Sequence, residues 1–90
     1  MEKVELYAYQ YEQEKDTYHI DTKPIHTFKN MKEFEETSGI YAMTYFMQHP
    51  FKNIGFCYCY EGQDITNKEN LKLASYGFME EDEKWLKLLK

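Results

Sequence analysis

From Val4 to Glu12 the chain alternates, with Val4, Leu6 and Ala8 on one side and Glu5, Tyr7, Tyr9 and Tyr11 on the other, the period-two pattern of a strand. Glu14-Lys15-Asp16 is a polar break without glycine. Beyond it Thr17 to Thr22 places Tyr18 and Ile20 on one face, which predicts an antiparallel hairpin over 4–12 and 17–22 with a loose turn. Pro24 ends the pairing or confines Ile25 to Phe28 to a sheet edge, because proline has no amide to donate. Asn30 followed by Glu33 reads as a helix cap, and Met31, Phe34, Ser38, Tyr41 and Tyr45 keep three-four spacing as far as Gln48, where His49-Pro50 stops it. Gly39 offers an alternative: a helix over 31–38 with a left-handed glycine cap, leaving 40–47 as a strand. The long helix over 31–48 is favoured.

Phe56, Tyr58 and Tyr60 alternate with Cys57 and Cys59, which predicts a central strand over about 54–60 closed by Glu61-Gly62. Thr66-Asn67-Lys68-Glu69 resembles a second capping box, and Gly77 with Phe78 folding back on Leu73 resembles a helix stop, giving a helix over 67–76. A last helix over 80–89 carries acids at its start and lysines toward its end, with Trp85, Leu88 and Leu89 on one stripe expected to cover the sheet. The predicted architecture is α+β: a small antiparallel sheet packed by two or three helices in one domain spanning residues 1–90.

Composition narrows the function classes. All 11 basic side chains are lysine, and there are 9 tyrosines and 6 phenylalanines. The arginine fork that grips phosphates is missing, while tyrosine supplies flat, half-polar contact area suited to protein surfaces. A net charge of -5 disfavours partners held by phosphate neutralisation, so no direct nucleic acid is expected. The start of the chain has charge where a signal peptide needs its apolar stretch. The run from Ile40 to Met47 is too short for a bilayer and is expected inside the domain. With Cys57 and Cys59 too close along one strand for an ordinary disulfide, a cytoplasmic protein with reduced, buried thiols is expected.

The candidate chemistry is sparse. One cysteine pair lacks the further ligands that zinc needs, and nothing gathers His19, His26 and His49, so no metal or cofactor is expected. His19 and Asp21 share a strand face, but neither a phosphate loop nor a nucleophile elbow accompanies them, so no enzyme is expected. Tyr7, Tyr9 and Tyr11 are the best candidates for a docking face, provided that helices cover only the Val4-Leu6-Ala8 side; otherwise a helix lies over them with their hydroxyls reaching water. Acids cluster at Glu12, Glu14 and Asp16, at Glu33, Glu35 and Glu36, and at Glu80 to Glu83.

These features lead to an expected function: a small acidic inhibitor or adaptor, of the kind phages and mobile elements encode, that masks a basic, nucleic-acid-binding type of surface on a larger protein. The tyrosines would give contact area, and the acids at Glu12, Glu14, Asp16, Glu33, Glu35 and Glu36 would steer the encounter. The alternatives are an aromatic sheet face that stacks single-stranded bases, and a small-molecule or enzymatic site around Cys57, Cys59 and the histidines.

Overall fold

The structure is a computed structural model that describes residues 2–12, 14–49 and 54–76. In chain order its elements are β1 (Val4–Glu12), β2 (Thr17–Ile20), β3 (His26–Phe28), α1 (Met31–Gln48), β4 (Ile54–Tyr60) and β5 (Lys72–Ala74), with a 3-10 turn at Lys68–Asn70 before β5. This is a small α+β fold: one five-stranded antiparallel sheet with one α-helix among the described residues.

β1 organises the sheet. β4 pairs along one of its edges from Val4↔Tyr60 to Gln10↔Ile54. Its other edge is shared by β2, through Tyr9↔Ile20 to Glu12↔Thr17, and β3, through Val4↔Phe28 to Leu6↔His26. Between those strands the chain bows away around Pro24, held by Asp21 N–H donating to the Ala8 carbonyl (3.1 Å) and Ile25 N–H donating to that of Leu6 (2.6 Å). The break falls where the missing proline amide forces it. At the hairpin tip Asp16 adopts the left-handed conformation (φ 51°), which aspartate tolerates better than most residues, and its carboxylate accepts the Tyr11 hydroxyl.

The helix runs its full expected length. Asn30 caps it by accepting the Glu33 amide (2.9 Å), and Gly39 lies inside it rather than ending it, so 40–47 forms no strand. Phe34, Ser38 and Ala42, four residues apart, face the sheet. They close a core with Val4, Leu6, Ala8, Phe28, Phe56 and Ala74. The small Ser38 and Ala42 let helix and sheet approach, and the Tyr76 hydroxyl donates to Ser38 Oγ (3.0 Å).

One expected helix is replaced. Residues 67–76 form a single 3-10 turn and then β5, which joins β4 through Phe56↔Ala74, Cys57↔Leu73 and Tyr58↔Lys72. Asn67 does cap, accepting the Glu69 amide (3.0 Å). Thr66, however, turns its hydroxyl to Asp64 (2.7 Å) instead of completing a capping box. From Leu71 the alternation Leu71, Leu73 against Lys72, Ala74 matches the open edge of β4, and the ladder wins over helix propensity. The expected helix over 80–89, the stop at Gly77 and Phe78, the Trp85 stripe and the helix-ending Pro50 lie outside the described residues.

Candidate protein-docking surface

The sequence placed the docking face on three tyrosines, and the structure buries all three. Tyr7, Tyr9 and Tyr11 are 5%, 1% and 5% exposed. No helix among the described residues covers them. Tyr7 and Tyr9 belong to a second core with Cys57, Cys59 and Leu71, to which Ile65 and Leu73 from the segment after β4 and Tyr18 and Ile20 from β2 are added. Tyr18 meets Tyr9 edge-on (5.2 Å between ring centres) and tilts against Tyr11 (4.8 Å). The Tyr9 ring lies over Gly55, its partner across the ladder, in space that a side chain would otherwise take. The rings therefore form neither an outward contact face nor a platform for bases.

Cys57 and Cys59 are free thiols in that same core. Burial, with some help from the neighbouring Cys59, pushes the Cys57 thiol up to about 12. Burial and the Glu5 carboxylate push Cys59 up to about 11. Both are thus poor nucleophiles at neutral pH. Tyr7 is pushed up as well, by burial first and then by Glu5, whose Oε1 accepts its hydroxyl (3.1 Å). The histidines are not gathered: His19 meets Glu12 Oε2 (3.2 Å), His26 stacks on Tyr41 (4.0 Å), and His49 stacks on Tyr45 (4.2 Å). Among the described residues no group of three or more His, Cys, Asp or Glu side chains is placed to hold a metal ion.

The acid clusters lie apart. Phe34, in the first turn of α1, packs on Tyr58, across from Leu6; Tyr45, near its end, packs on Phe56, across from Ala8. The hairpin tip with Glu12, Glu14 and Asp16 follows β1 beyond Ala8, toward the Tyr45 side, while Glu33, Glu35 and Glu36 sit at the start of the helix. The hairpin acids are also engaged locally, Glu12 with Lys15 (3.5 Å) and His19, and Asp16 with Tyr11. Glu33 takes part in the cap, accepting the Lys29 amide (3.4 Å). Glu35 and Glu36 are exposed, and neither makes an ion pair among the described residues.

What faces solvent beside those acids is apolar. Ile40 is 67% exposed, Met43 40% and Met47 72%, although this run was expected inside the domain. At about 100° per residue these three share a stripe with Glu33 and Glu36, on the side of α1 opposite Phe34, Ser38 and Ala42. From Thr37 to Gln48 the helix carries no charge at all. The signal was present in the sequence: two apolar stripes on one helix, only one of which a one-sided helix can bury. Next to the exposed stripe, a groove of about 590 Å³ runs between α1 and the Ile25 segment, walled by Ile25, Tyr41, Tyr45 and His49.

No helix among the described residues is long and apolar enough to cross a membrane. Comparison with protein-family models, curated proteins and solved structures found no match to this chain.

Proposed function

We propose that the protein is a small acidic binding domain that docks the outer face of α1 into an apolar, basic-rimmed groove on a larger protein and masks that surface, as an inhibitor or adaptor does. One observation carries this reading: Ile40, Met43 and Met47 stand exposed at i, i+3 and i+7, with Glu33 and Glu36 continuing the same stripe. That is the anchor spacing of a helix laid in a groove. A contiguous apolar patch flanked by charge marks an interaction surface more often than scattered exposed residues do. Methionine suits the role because its flexible thioether adapts to the groove it meets.

The charge of the stripe selects the partner. Acids beside the stripe oppose anionic membranes and nucleic acid, and a chain of net charge -5 gains from a positive rim. The tyrosines, assigned the contact role by sequence, serve the core instead.

The test is a paired substitution. Ile40→Asp with Met47→Asp, both at exposed positions, should leave folding unchanged and weaken the complex with the captured partner by at least 100-fold. Reversing Glu33, Glu35 and Glu36 to lysine should slow association by about tenfold at low salt, with a smaller effect at high salt. A partner bound equally by all three forms would place the docking surface elsewhere.

A further inference from the structure

Where β2 leaves the sheet, beside the last turns of α1, the chain encloses a cleft of about 210 Å³. Ala8, Ile20 and Ile54 give it apolar walls, and Tyr45, His19 and Asp21 bring a phenol, an imidazole and a carboxylate to it. Asp21 Oδ1 accepts the Lys23 amide at 3.3 Å, and among the described residues the carboxylate makes no ion pair. It lies close enough to Tyr45 for its charge to raise the phenol's pKa, after burial, which contributes more. Cofactor and drug-sized sites run from about 300 to 1,000 Å³, so a cleft this size takes one long side chain rather than a nucleotide.

We infer that this cleft is a subsite for a cationic side chain, lysine or arginine, supplied by the protein that docks on α1. The chemistry fits in three parts. The apolar walls receive an alkyl stem, as surfaces do where lysine and arginine lay their methylenes down. Tyr45 adds aromatic surface to the lining, and the Asp21 carboxylate neutralises the charge. Tyr45 lines both this cleft and the groove beside Ile40 and Tyr41, so the cleft shares a wall with the groove that flanks the proposed docking stripe. The inference rests on that docking reading, and it predicts that the basic rim of the partner ends in one inserted cation.

The test uses small probes on the intact, isotope-labelled protein. n-Butylammonium and n-butylguanidinium should produce saturable amide shifts at Gln10, His19, Ile20 and Ile54, and 1-pentanol at the same concentrations shifts at least fivefold smaller. Asp21→Asn, an exposed and conservative change, should reduce the cation shifts at least fivefold while the rest of the spectrum keeps its dispersion. The Ile40→Asp/Met47→Asp variant should bind the probes as the native protein does, so failure of the subsite and failure of helix docking read separately. Equal shifts from pentanol would show an apolar cleft with no preference for charge and overturn the inference. Absence of saturable shifts, or cation shifts that survive Asp21→Asn, would overturn it too. Binding of free 1,5-diaminopentane 100-fold tighter than n-butylammonium would make the cleft a diamine site and reject the side-chain assignment.

Discussion

Opposite Tyr9 in the β1–β4 ladder stands Gly55, and a Cβ there would fall inside the tyrosine ring, 2.6 Å from Cε2 and closer to Cζ and the hydroxyl. Gly55→Ala should therefore cost about 1–3 kcal/mol by overpacking, read as a lower denaturant midpoint with an unchanged slope. The cost should shrink in a Tyr9→Leu background; the same cost in both would mean that the ring does not lie over the glycine. The thiols give a second check. Unfolded cysteines titrate near 9.0, and the folded ones are held up at about 12 and about 11. Between those values the native state keeps protons that the unfolded chain releases. Stability should hold below pH 9 and fall as pH rises through that window, by about 1.4 kcal/mol per pH unit for each thiol. A Cys57→Ala/Cys59→Ala variant should show a shallower alkaline fall, and an identical fall would assign the loss to other groups. The alternation of Tyr7, Tyr9, Cys57 and Cys59 shows which face they share. Their burial depends on Ile65 and Leu71 returning over that face, a long-range choice that no local pattern encodes.

At the scale of the element, α1 is the part whose limits were readable, because both signals are local: the Asn30 cap and the three-four spacing of Met31, Phe34, Ser38, Tyr41 and Tyr45. Gly39 looked like a stop and is not one. Its interior position predicts that Gly39→Ala stabilises the protein by about 0.5–1 kcal/mol, since alanine loses less backbone freedom in a helix. The added Cβ would rest 3.7 Å from Tyr76 Cδ1, an ordinary contact. Urea unfolding should show a raised midpoint, and a lowered one would contradict a continuous helix at this position. β5 was misread for the opposite reason. Its three residues follow a genuine asparagine cap, and the decisive fact, an open edge on β4, lies more than a dozen residues back along the chain.

Taken as a whole, the molecule has two differently built sides. One is a tyrosine and cysteine core beneath the segment after β4, and the other is a helix that buries one stripe and displays a second. Net charge and the arginine-free composition belong to the whole chain and place no surface on it; the proposed docking surface rests on the exposed stripe of α1, where the sequence had pointed to the tyrosines of β1. Charge also limits how a partner approaches, because among the described acids Glu33 and Glu36 continue the apolar stripe of α1, while Glu12 and Asp16 are engaged within the hairpin. The most direct measurement places a photo-crosslinking side chain at Met43, on the exposed stripe, and in a separate protein at Glu69, in the 3-10 turn on the far side of the sheet. The account predicts a crosslink from position 43 to a single larger protein with a basic surface, lost in the Ile40→Asp/Met47→Asp background, and none from position 69. Crosslinking to that protein from position 69 and not from 43 would contradict it.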